Sequence, residues 1–208
     1  MGRKALKHQL HRGDLPAGIE FGASVAIDSE TMGLQTLRDR LCVIQLSAGD
    51  GVCHLVQFRD GDYSAPNLKA LLADPDVTKL FHFARFDLAA IQHYLGVACG
   101  PVYCTKIASR LVRTFTDRHG LKDLCRDLIG VELSKQMQSS DWGAAELSEE
   151  QLRYAAADVL YLHRLRAALD EMLEREGRAE LARACFEFLQ TRAALDLAGW
   201  ADVDIFAH

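Results

Sequence analysis

Short apolar runs early in the chain give way to longer amphipathic stretches, and this change of period sets the predicted elements. Residues 24–28, 41–47 and 52–57 are compact apolar runs that follow a polar lead-in, and each reads as a strand. The last two are separated by Ala48-Gly49-Asp50-Gly51, turn residues whose brevity predicts an antiparallel meander. Residues 67–73 then read as a short helix, 78–82 as a buried strand, and 85–95 as a helix ended by Gly96. A short strand near Val102 leads into helices over 105–112 and 121–128. Strands followed by alternating helices indicate an α/β layer fold.

The clearest helix start is Leu147-Ser148-Glu149-Glu150-Gln151-Leu152. Ser148 caps, Gln151 reaches back as the other half of a capping box, and Leu147 with Leu152 forms a hydrophobic staple. The pattern predicts one helix from about 149 to about 176, where Gly177 interrupts. A last amphipathic helix places Leu181, Cys185, Phe188 and Leu189 on one side, before Gly199 and a tail to His208. The 208 residues suit a single domain, with 1–20 as lead-in and 178–208 as C-terminal helix and tail. No internal repeat is visible.

Composition narrows the classes. A net charge of −5 argues against coating nucleic acid by bulk attraction. No apolar run approaches the roughly 18 residues of a membrane span, and residues 1–14 are basic and polar without an apolar signal core. A cytoplasmic protein with no membrane partner is expected. Leu6 stands where an N-myristoylation motif wants Ser or Thr. The six cysteines form no CxxC pair, which points to reduced core residues and not to a zinc site or a disulfide framework. Locally the balance reverses: between residues 103 and 126, Lys106, Arg110, Arg113, Arg118, Lys122 and Arg126 face only Asp117 and Asp123. Such a run is a solvated helical face, or a phosphate-binding stripe if an active site lies beside it.

Carboxylates set among apolar residues carry the candidate chemistry. Asp28 and Glu30 end the first strand run; as residues i and i+2 they share a face, and two anions side by side suit a divalent cation as well as a polar strand end. Asp158 lies on a stripe with Tyr154, Tyr161, Leu165, Leu169 and Met172, where an aspartate needs a partner: Tyr154 one turn earlier, an arginine, or a metal. Asp87 begins a helix on a stripe with Ile91, Tyr94 and Leu95, where the helix N-terminus alone would favour an acid. Together, four acids from three segments suit a two-metal site for phosphoryl chemistry.

The ordered motifs Asp28-x-Glu30, Phe81-x-x-x-x-Phe86-Asp87 and Tyr154-x-x-x-Asp158 resemble the exonuclease motifs of the DEDD superfamily, in its tyrosine-bearing branch. The stretch Ser134-Lys135-Gln136-Met137-Gln138-Ser139-Ser140-Asp141-Trp142 resembles ribonuclease D in particular, and the likeness spans residues 21–169. It implies a ribonuclease H-like fold, a mixed sheet whose antiparallel meander continues into parallel strands flanked by helices. It also implies a 3′-5′ exonuclease using two divalent cations, Mg²⁺ or Mn²⁺. Asp28, Glu30 and Asp158 would hold one cation, and Asp28 with Asp87 the other, Asp87 through water. An unperturbed phenol, with a pKa of about 10, is a poor base at neutral pH, so Tyr154 is expected to orient the attacking water. Arg110, Arg113, Arg118, Lys122, Lys135 and Gln138 are expected to face the substrate. Trp142 reads as a core plug, and His119 and His163 as ordinary structural histidines.

The chain departs from the pattern at Phe83, where many relatives carry a polar residue, and at Cys104, where many have Asp. The length leaves no room for the helical nucleic-acid-binding domains that follow the catalytic domain in longer ribonuclease D proteins. Single-stranded nucleic acid is the expected partner, RNA favoured over DNA, for a monomer or homodimer. Two other readings compete: a silent nucleic-acid-binding module, whose mark would be a lost metal ligand, and an oligoribonuclease-like phosphodiesterase for very short substrates. All four acids and Tyr154 are present.

Overall fold

Six strands form one mixed sheet, and a computed structural model describes it over residues 7–59, 61–134 and 139–207. In chain order the strands are β1 (Lys7–Arg12), β2 (Ser24–Thr31), β3 (Leu41–Ser47), β4 (Val52–Gln57), β5 (Thr78–Phe81) and β6 (Val102–Cys104). Their order across the sheet is β1-β4-β3-β2-β5-β6. The expected meander is the antiparallel set β2, β3 and β4, and β5 and β6 continue from β2 in parallel. Every residue of β3 is buried, as an apolar run inside a sheet covered on both faces must be.

The helices are α1 (Pro66–Ala73), α2 (Ala84–Ala90), α3 (Thr105–Val112), α4 (Leu121–Ile129), α5 (Glu149–Val159), α6 (Leu162–Arg175) and α7 (Ala179–Leu195). A π-helical turn, Ile91–Leu95, prolongs α2 to Gly96, whose φ of 67° closes the helix as predicted. The capping box at α5 is formed in full: Gln151 N donates to Ser148 Oγ (3.2 Å) and Ser148 N to Gln151 Oε1 (2.8 Å). Among the described residues no helix is long and apolar enough to cross a membrane.

Three expectations are corrected. The polar lead-in contains β1, an edge strand parallel to β4. An edge strand that keeps one side toward solvent needs no apolar run, and only Leu10 packs on the core. Arg12 fixes the strand instead, donating to Gln57, to Ala145 O (3.2 Å) and to Glu146 (3.0 Å). Secondly, the single helix expected over 149–176 is two, broken at Leu160 and Tyr161. Helix α5 packs on β1 to β4 while α6 packs on β5, α3 and α4, two surfaces that one straight rod cannot cover on a twisted sheet. Lastly, α7 buries Ala182, Phe186, Leu189 and Ala193, a face rotated from the expected one; Leu181 is 55 % exposed and Phe188 39 %. The Phe186 ring lies 4.6 Å from Tyr103, and the small alanines let the helix approach α2 and β6.

Candidate active site

The end of β2 carries Asp28 and Glu30 out of the core, and the neighbouring strand holds them in place. Asp28 pairs with Gln45 of β3, and the register shifts between Glu30 and Thr31, a local irregularity of the kind that re-aims side chains next to active sites. Gln45 is fully buried, and its Nε2 donates to Asp28 Oδ2 (3.4 Å) and Glu30 Oε1 (3.3 Å). Opposite them, α5 brings in Asp158, so that one oxygen from each of the three carboxylates lies within 4.8 Å of the others. Tyr154, one turn earlier on α5, lies close enough to Asp158 for the two to shift each other's ionisation, and the Trp142 ring stands 6.1 Å from Tyr154. Asp87 is 3 % exposed on α2 and accepts a 2.6 Å bond from Ser29 Oγ, beside but outside the three-acid cluster.

Packing acids this closely without counter-charge opposes their ionisation. Burial raises the Asp28 carboxyl to about 7. Glu30 is pushed up by burial and then by the charges of Asp28, Asp158 and Asp87. Asp87 and Asp158 are also raised, by burial and then by Asp28. Tyr154 is raised by burial and by Asp158, which keeps the phenol protonated. Among the described residues no lysine or arginine forms an ion pair with any of the four acids. A set of hard oxygen donors lacking a counter-cation fits a divalent metal such as Mg²⁺ or Mn²⁺.

Asp28, Glu30 and Asp158 open on a cleft of about 660 Å³, whose wall also includes Tyr154, Trp142, His82, Lys106 and Lys122. Thr105 Oγ1 donates to Phe81 O (3.2 Å), which leaves His82 Nδ1, 2.9 Å away, to donate to the hydroxyl. Burial, and then Lys106, lower the His82 imidazole to about 3, so the ring is neutral.

The predicted substrate residues divide. Lys122 lines the cleft; Arg118 is exposed on the loop between α3 and α4; Arg110 borders an adjoining apolar hollow. Arg113 is corrected. It is 3 % exposed, pairs with Asp127 at 2.6 Å and donates to Arg118 O, so it braces the α3–α4 corner and is not available to a phosphate backbone. Lys135 and Gln138 lie outside the described residues. Trp142, 2 % exposed, is the plug expected, and it also walls the cleft. His119 bonds Ser109 (2.8 Å) and His163 bonds Ser24 O (3.3 Å), both structural.

Gln45, Ser29 and His82 were not singled out from the sequence. A lone glutamine inside the apolar run Leu-Cys-Val-Ile-Gln-Leu-Ser was a usable signal for Gln45; Ser29 and His82 offered none.

The sequence profile of 3′-5′ exonucleases matches residues 12–174. Ribonuclease D of Gluconacetobacter diazotrophicus is 39 % identical over 156 residues, covering 75 % of this chain and 39 % of its own. The chain thus spans about two fifths of the length of the curated relatives it first matches. Among solved structures, Brucella melitensis NrnC superposes with a TM-score of 0.95 at 56 % identity, covering 98 % of this chain and 100 % of that one. It has also been solved bound to pGG and with bound Mg²⁺. Escherichia coli RNase D, an exoribonuclease, gives 0.71 at 29 % identity over 86 % of this chain and 48 % of that one.

Proposed function

The chain belongs to the 3′-5′ exonuclease family, and from that premise we propose that it is a divalent-metal-dependent nuclease removing nucleotides from the 3′ end of single-stranded RNA. The observation that carries the reading is the junction of Asp28, Glu30 and Asp158 beside Tyr154 in one cleft inside the matched region. The Mg²⁺ and the pGG bound by the Brucella relative support the metal and the nucleotide strand.

Asp28, Glu30, Asp158 and, from the far side, Asp87 would hold two divalent cations, Mg²⁺ or Mn²⁺, whose charge supplies Lewis acidity at the reacting phosphoryl group. Tyr154 stays protonated among the acids, so its hydroxyl orients the attacking water by hydrogen bonding and does not act as a base. The water oxygen bonds to phosphorus as the P–O3′ bond breaks. The terminal residue leaves as a 5′-nucleotide and the shortened strand keeps a 3′ hydroxyl. Gln45 positions Asp28 and Glu30, and Lys106 and Lys122 on the cleft wall, with Arg118 exposed on the α3–α4 loop, would hold the backbone phosphates.

Digestion of 5′-labelled single-stranded RNA and matched DNA, from dinucleotides upward, tests this with Mg²⁺, Mn²⁺ or EDTA. A ladder shortening from the 3′ end, slowed by a 3′ phosphate and absent in EDTA, is expected. Undiminished cleavage in excess EDTA, or cuts within a circular strand, overturns it.

A further inference from the structure

Phe83 sits at φ 70°, ψ 44°, one of two non-glycine residues with positive φ among those described. A bulky L side chain is strained there, and such strain usually persists through packing. Packing does not hold this one: the residue is 46 % exposed. Its backbone is fixed from both flanks instead. His82, just before it, is bonded to Thr105, and Phe86 N donates back to Phe83 O at 3.3 Å. The partly exposed residue therefore stands at the rim of the acid cleft and of the two hollows that adjoin it. Lys106 Nζ lies over the ring 3.9 Å from its centroid, and Lys106 also lines the cleft.

An aromatic ring with an ammonium over one face and its other face left for stacking matches the two chemistries of a nucleotide, the phosphate and the base. We propose that Phe83 is the stacking platform for one of the two bases flanking the scissile phosphate, with Lys106 placed to bind the adjoining backbone phosphate. This rests on the nuclease reading and names the surface that would seat the substrate's bases. Stacking reads no hydrogen-bond pattern, so the site would accept every base and favour purines by their larger faces.

The test is a double cycle of protein and strand. Binding of 5′-fluorescein RNA is measured by anisotropy, with Ca²⁺ in place of Mg²⁺ to keep the strand uncut. Strands carry every base, or lack one at the terminal or the penultimate position. Phe83→Gly should weaken binding of the intact strand by roughly 5- to 150-fold, the range for one aromatic–base stack. It should raise Tm at the same time, because glycine accepts positive φ without strain. Removing the stacked base should weaken the wild type to a similar degree and leave Phe83→Gly nearly unchanged. Phe83→Leu, which keeps bulk without a π face, should bind as weakly as Phe83→Gly without its gain in Tm, and Phe83→Trp should retain wild-type binding. Equal losses for wild type and Phe83→Gly at both abasic positions would overturn the proposal, as would full binding by Phe83→Leu. Cleavage of the intact strand by the wild type with Mg²⁺, followed in parallel, reports separately on the nuclease reading.

Discussion

Asp28→Asn should abolish turnover and yet make the metal-free protein more stable. The carboxyl of Asp28 is raised from an ordinary 3.8 to about 7 in the folded chain, chiefly by burial. A folded acid that holds its proton more tightly than the unfolded one contributes stability that is complete below about pH 4 and is lost as pH rises through about 7. At pH 8 the ionised carboxylate therefore destabilises the fold. At 1.36 kcal/mol per pH unit the ceiling is about 4 kcal/mol. The carboxylate still opens on the cleft, where water screens it, so about 1–2 kcal/mol is expected. Asparagine keeps an oxygen for Gln45 Nε2 and removes the charge. For a chain of this size, about 2–4 °C in Tm accompanies each kcal/mol, which gives a rise of about 2–8 °C. Thermal unfolding of both proteins at pH 8 in EDTA measures it, and the gain should shrink as pH is lowered toward 5. Mg²⁺ should raise the wild-type Tm, by about 2.7 kcal/mol of stability at a hundredfold excess over Kd, and should do little for Asp28→Asn. A metal-free Asp28→Asn no more stable than wild type at pH 8 would refute the view that these acids await a cation.

Tyr154→Phe removes only a hydroxyl, so single-turnover cleavage should slow by roughly 100-fold while oligonucleotide affinity holds, as for an interaction made mainly in the transition state; weakened binding with intact single-turnover cleavage would contradict the orienting role. Neutralising Lys122 and Arg118 together should raise KM and flatten the plot of log affinity against log salt by about 0.7 for each phosphate no longer neutralised. An unchanged slope would make both residues solvated surface. Arg113→Ala should leave that slope alone and lower stability by about 1–3 kcal/mol, since it removes a buried guanidinium from a partly exposed Asp127; denaturant melts read the difference.

What could be read from the sequence was whatever local physics decides. The limits of β3 and β4 were legible because short apolar runs meet a glycine-bearing turn, and the start of α5 because its cap is written in Ser148 and Gln151. Asp28, Glu30, Asp87 and Asp158 stood out as charges in apolar settings, and the structure gathers Asp28, Glu30 and Asp158 and sets Asp87 alongside. Features decided by neighbours distant in sequence were not legible. Strand β1 exists because β4 offers it an edge, and the break at Leu160 carries no glycine or proline because the twist of the sheet imposes it. Arg113 reads like the other basic residues until Asp127, one corner away, claims it.

The same break gives the protein a seam. Since α5 alone carries Tyr154 and Asp158, and α6 beyond the break anchors to other elements, a subglobal opening of α5 would not require its successor to unfold. Each such excursion would take Asp158 away from β2 and dissolve the acid triad in one motion, so metal occupancy and helix docking share a single equilibrium. In native-state hydrogen exchange the amides of α5 should then exchange ahead of those of α6 in the apo protein and slow selectively when Mg²⁺ is added. The late helix would act as a latch whose closing is weighted by the ion it helps to hold.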